Sequence, residues 1–174
     1  MQFSLEKILE VLKNTPSVIS ALLYSLDDSW IMAREEQHSW TVKEVVAHLI
    51  VCEETNWIPR VKIILSDDSE KFLPSINMDI HLEMAQKNKL EDLINTLKNL
   101  RSNSIDTLKS FNLQEKHFDK IAIHPKIGQI TLKQLLSTWV THDFTHLSQI
   151  TRIMAKQNKE NVGGFETFLN ILKS

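Results

Sequence analysis

Apolar residues recur at three- and four-residue intervals through most of this chain, the spacing of helices that bury one face. Residues 4–13 place Leu5, Ile8, Leu9 and Leu12 together. Asn14-Thr15-Pro16 interrupts that run, because proline disfavours helical backbone in the residue before it and suits the first turn of a new helix. Thr15 is then the expected cap of a second segment reaching about Leu26, with Val18, Ile19, Leu22, Leu23 and Leu26 on one face. The pattern fits a short helix followed by the first long one, or a single helix kinked at Pro16. A polar connection over 27–40 follows, holding Trp30 and Trp40.

The next start signal is complete. Thr41 and Glu44 have the spacing of a capping box, and Trp40 can staple onto Val45. This second helix runs to about Leu65, and Pro59 inside it is expected to kink it or open one backbone bond. Residues 66–88 are polar and long for a bundle connection, with one short helix predicted around Met78–Gln86. A third long helix spans about Leu90 to Phe111, followed by a second connection over 112–130. The fourth starts at a second capping box, Thr131 with Gln134, and fills Thr131–Gln157. The apolar tail, Gly163 to Leu172, is expected to form a turn or two packed back on the bundle.

Composition narrows the class. The 174 residues suit one domain, 1–174, and only three glycines and four prolines leave little turn chemistry for an all-β protein. The expectation is all-α: a four-helix bundle with long connections and short extra N- and C-terminal helical segments. Net charge is −2 with lysines dispersed among acids, which speaks against nucleic acid or a polybasic membrane surface as partner. One cysteine, Cys52, allows no intramolecular disulfide, no signal peptide is evident, and no apolar run reaches membrane-spanning length. Cytoplasmic localisation is the resulting expectation.

The chemistry concentrates in the fourth helix. His142 and His146 are four apart, so their rings are rotated about 40° and displaced about 6 Å along one face. Leu135, Trp139, Ile150 and Ile153 continue that stripe, so both rings point into a core, where each nitrogen needs a partner. Counting from the caps, His48 lies seven residues past Thr41, and His142 and His146 lie eleven and fifteen past Thr131. At about 100° per residue, these positions fall within about 80° of one another. If the two helices turn equivalent faces inward, the three rings share an interior, and three histidines form the ligand set of an open metal site. Packed core histidines without an ion remain the alternative. Cys52 is an occasional ligand or a small buried hydrophobe, and Asp143 orients a ring or pairs with a neighbouring helix. His38, His81 and His117 fall in polar connections and are expected to be solvated, as is Glu35-Glu36.

Trp30, the run Trp40-Thr-Val-Lys-Glu-Val-Val-Ala-His48-Leu, His124-Pro125 with Gly128 and Thr131, and His142-Asp143-Phe-Thr-His146-Leu together resemble the DinB/YfiT superfamily. The likeness covers nearly the whole chain, and its specificity lies in the order and separation of short motifs. It implies a four-helix bundle with a divalent metal, commonly zinc or nickel, on His48, His142 and His146. It also implies a metal-dependent hydrolase, or a transferase joining a low-molecular-weight thiol to an electrophile. No catalytic carboxylate carries over, so the catalytic residues stay unassigned. A small-molecule substrate and a homodimer complete the expectations, and a bundle that binds metal or ligand without turnover is the competing reading.

Overall fold

The computed structural model describes residues 2–77 and 79–173. In chain order these form α1 (Leu5–Leu23), α2 (Asp28–Ile31), α3 (Val42–Thr55), α4 (Trp57–Leu65), α5 (Ile80–Lys87), α6 (Leu90–Ser110), α7 (Glu115–Phe118), strands β1 (Ile121–His124) and β2 (Gly128–Thr131), and α8 (Leu132–Lys156). Two 3-10 turns, Gly163–Phe168 and Asn170–Leu172, close the described chain, and Leu172 is buried. The protein is mostly helical, and α1, α3 with α4, α6 and α8 are the four rods of a bundle.

Both capping boxes form. Thr41 Oγ1 accepts from the Glu44 amide while Glu44 accepts from the Thr41 amide, and Thr131 and Gln134 do the same for α8. Pro16, in contrast, does not break the first helix, which is continuous across it. A proline inside a helix strips the carbonyl four residues earlier of its donor. Here that carbonyl belongs to Leu12, and Arg101 Nη1 of α6 donates to it at 2.9 Å. Thr15 is no cap: its hydroxyl donates back to the Val11 carbonyl at 3.1 Å. Pro59 acts as expected. The second rod divides at Asn56, and Pro59 falls in the first turn of α4, where no intrahelical N–H is needed.

Two apolar clusters fill the bundle, with a polar layer between them. Leu12, Trp57, Ile105, Leu136 and Trp139 belong to one cluster. Ile19, Leu49, Leu97 and Ile150 belong to the other. Each rod crosses the divide with polar groups: Thr15 on α1, His48 and Glu53 on α3, Arg101 on α6, and His142, Asp143 and His146 on α8. The order in which the rods pass the clusters gives the topology. α1 and α8 run from the first to the second, while α3 and α6 run the other way, so the bundle is up-down-down-up.

Two successive rods that run the same way need a return path, which is why the connection after α4 is long. Leu73 lies in the first cluster and Ala85 of α5 in the second, so this connection climbs back across the polar layer. On the way its backbone pairs with β1, through Leu73 N–H to the Ile123 carbonyl at 2.9 Å and Ile123 N–H to the Lys71 carbonyl at 2.7 Å. The short helix expected here begins at Ile80; Met78, where the sequence places its start, lies outside the described residues. The 112–130 connection holds α7 and an antiparallel hairpin with Ala122 opposite Ile130, so the all-α expectation misses one small two-stranded sheet. Gly128 at φ +76° supplies the left-handed turn that closes it.

Thr131→Ala removes one partner from an orphan amide of α8 and is expected to lower stability by about 1 kcal/mol in urea unfolding. Arg101→Ala strands two buried carboxylates and is expected to cost about 3–5 kcal/mol in the same experiment. A loss no larger than that of Thr131→Ala would show that the Arg101 contacts contribute little.

Candidate metal centre

The capped starts of α3 and α8 set the angular positions of three rings, and α3 packs directly against α8. His48, His142 and His146 each bring one ligand nitrogen to a common point, and these atoms lie within 4.8 Å of one another. His142 Nε2 stands 3.2 Å from His48 Nε2 and 3.1 Å from His146 Nε2. Two imidazole nitrogens bound to one tetrahedral ion at about 2.0–2.1 Å are separated by about 3.3 Å, so these two spacings fit a shared ion.

Proton counting gives a second test. Gln149 Oε1 accepts at 2.8 Å from His146 Nδ1, which therefore carries the proton of the neutral ring and leaves the Nε2 lone pair facing the centre. His142 Nε2 holds either one proton or one lone pair. It can therefore make one good hydrogen bond, to one neighbour or the other, whereas a divalent cation would be met by all three nitrogens at once. The rings are also kept neutral. Burial, helped by the neighbouring imidazoles, lowers His48 and His142 to about 3, and burial lowers His146 as well. Neutral imidazole is the form that binds metal.

Cys52 lies one turn beyond His48, its Sγ 3.5 Å from His48 Nε2 and 3.9 Å from His142 Nε2. Burial, with the charge of Glu53, pushes its thiol up to about 12, so in this setting it is a neutral, polarisable wall. Asp143 turns away from the rings and pairs with α6: Arg101 donates to it through Nη1 at 2.6 Å and Nη2 at 3.0 Å. Arg101 Nε also donates to Glu53 Oε1 at 2.7 Å, and the Trp139 indole donates to the same oxygen at 3.1 Å. Desolvation opposes the charge of Arg101, but Asp143 and Glu53 together raise its pKa.

Two expectations need correction. His81 is not solvated: it is 1% exposed, brought in by the return connection, with its ring 4.3 Å from Trp40 and 5.5 Å from His48. Its signal in the sequence was weak, a pairing with Ala85 at helical spacing inside a polar segment. Glu35 is not a free surface acid either, since it forms an ion pair with Arg152 of α8. His38 is exposed, as expected, and His117 is partly buried, accepting at Nδ1 from the Gln114 amide. Trp40 lies against the His48 and His146 rings, 4.8 and 6.2 Å between centroids, so it covers the centre from the α3 start. Trp57, stacked on Trp139, meets the His142 ring edge-on at 5.1 Å. A groove of about 740 Å³ along α8 passes Gln134, Thr138, His142 and Thr145. Among the described residues, no helix is long and apolar enough to cross a membrane.

Comparison with known proteins places this architecture. The DinB superfamily profile matches residues 12–150, which include all three histidines. Among solved structures, the chain is similar to YfiT from Bacillus subtilis, described as a probable metal-dependent hydrolase with an unusual four-helix bundle topology. The TM-score is 0.76 at 21% identity, over 90% of this chain and 91% of that one. No curated protein matches.

The depressed histidines make the metal-free fold acid-sensitive. Each has a folded-state pKa below the unfolded 6.5, so the unfolded chain takes up the proton first. Stability is full above about 6.5 and falls as pH drops toward about 3. In metal-stripped protein, replacing His48 with Asn is expected to flatten this slope by up to about 1.4 kcal/mol per pH unit between about pH 4 and 6. Urea midpoints of both proteins across that range check it; parallel slopes would mean His48 is not buried neutral.

Proposed function

This chain belongs to the DinB superfamily, and from that premise we propose that it is a metal-dependent hydrolase of small molecules, with His48, His142 and His146 holding one divalent ion, zinc or nickel. The observation that carries this reading is the convergence of three neutral imidazoles, with His142 Nε2 at metal-sharing distance from both His48 Nε2 and His146 Nε2 and all three ligand nitrogens within 4.8 Å of one another. A divalent ion held by three imidazoles acts as a Lewis acid and lowers the pKa of water.

The protein's own residues do the rest. Gln149 fixes the tautomer of His146, so that its Nε2 lone pair stays directed inward. Arg101 holds Asp143 and Glu53, which sets the axial positions of α8 and α3 and hence of their histidines. Trp40, Trp57 and the Cys52 thiol line the centre with low-polarity groups, which strengthens its electrostatics by excluding water on those sides. The α8 groove leaves His142 approachable from outside. Transfer of a low-molecular-weight thiol to an electrophile is the finer alternative, and it uses the same centre.

The test is metal stoichiometry with turnover. Native mass spectrometry of protein made without a histidine tag is expected to show about one divalent ion per chain, abolished in His142→Ala. Metal is expected to raise the melting temperature of the wild type and much less that of His48→Ala. The metal-free chain is expected to stay folded, because two apolar clusters of this size supply a core of their own. Ester and amide panels, run beside a thiol–epoxide panel, are expected to give turnover only in metal-loaded wild type. Full occupancy in His142→Ala, or equal thermal shifts in wild type and His48→Ala, would overturn the three-histidine centre.

A further inference from the structure

Beyond the histidines, one buried charge has no structural counterpart. Arg60 of α4 is 6% exposed, and no ion pair to it exists among the described residues. Its one hydrogen bond there runs from Nη2 to the Pro74 carbonyl at 2.9 Å, and its Nε–H finds no acceptor. Cys52 is the group whose charge would favour the guanidinium, but that thiol is neutral. A buried, uncompensated cation is costly, in contrast to Arg101, which meets two carboxylates. Asn56, one turn earlier, is also buried, with Oδ1 unpartnered among the described residues.

Both residues line a cavity of about 460 Å³, together with Trp57, His124, Gln134 and Thr138. Gln134 and Thr138 also line the groove that reaches His142, so cavity and groove are neighbours along α8. Trp57 separates the cavity from the rings, its edge contact with His142 marking the shared wall. His124 adds no charge at neutral pH, since burial, Arg60 and Lys126 all lower its pKa. The cavity therefore offers one permanent cation and an aromatic wall.

We propose that Arg60 anchors a carboxylate in a subsite beside the candidate metal centre, so that the substrate is a small monocarboxylate. One cation balances a single negative charge, whereas a phosphate would bring about −1.5 to −2 at neutral pH. The rest of the molecule extends past Thr138 toward His142. The subsite stands on Arg60 and its cavity alone; its role in substrate choice rests on the reading of the three histidines as a metal centre.

The experiment titrates N-acetylglycine into nitrogen-15-labelled protein, metal-loaded and after chelation and dialysis. Expected are saturable shifts of the Trp57 indole and Asn56 carboxamide signals, equal in both forms, and none with N-acetylglycinamide. The dissociation constant is expected to rise at least about tenfold in Arg60→Gln, where the charge is lost. Because Arg60 also tethers Pro74, a second pair covers a folding defect: Thr138 is exposed, and Thr138→Glu is expected to abolish binding by pairing with Arg60, while Thr138→Gln retains it. Binding that persists in Arg60→Gln and Thr138→Glu, that vanishes on chelation, or that is weaker than binding of inorganic phosphate would overturn the proposal. Loss of turnover without loss of N-acetylglycine binding would instead count against the hydrolase reading.

Discussion

Arg101 is the group on which the arrangement of the bundle depends. From α6 it reaches the Leu12 carbonyl of α1, Glu53 of α3 and Asp143 of α8, so one guanidinium touches every other rod. Taking three charges out of water costs several kcal/mol per ion and is offset only when the geometry is right. Sliding any rod by a turn would leave a carboxylate, the guanidinium or the Leu12 carbonyl unpaired in a dry interior. Apolar surface tolerates such a slip far better, because burial is non-directional. The polar layer therefore fixes the axial register that the two apolar clusters leave loose.

That register is what places the histidines. Asp143 directly follows His142, and Glu53 lies five residues beyond His48, so fixing the acids fixes the rings. On α8 the two jobs are divided by the 100° between neighbouring residues: Asp143 turns to α6, and His142 and His146 turn to α3. The same guanidinium also makes Pro16 tolerable, since it supplies the donor that the proline withholds from Leu12. A residue that reads as a helix break is thus part of the support for the centre.

The up-down-down-up course has its own consequence. Two rods that run the same way oblige the chain to return over their length, and the return passes the open side of the polar layer. His81 and the Pro74 carbonyl both belong to that return, one beside His48 and the other on Arg60. The long connection thus builds walls around the centre as well as linking helices.

Local rules accounted for much of this in advance. The helical spacing, the two capping boxes, the disturbance of the second helix by Pro59 and the His142–His146 pair depend on residues within a turn or two of each other, and short-range geometry decides them. The clue to the ionic layer was also present: Glu53, Arg101 and Asp143 each sit at an apolar position of a helical stripe, with signs that balance in part. Which of them would meet, and around which carbonyl, depended on rods far apart in sequence. So did the continuity of α1 through Pro16, because the rescuing donor comes from residue 101. The burial of His81 and the isolation of Arg60 were decided by topology alone. A polar residue in a connection is solvated or buried according to what the chain lays over it, and no local spacing encodes that cover.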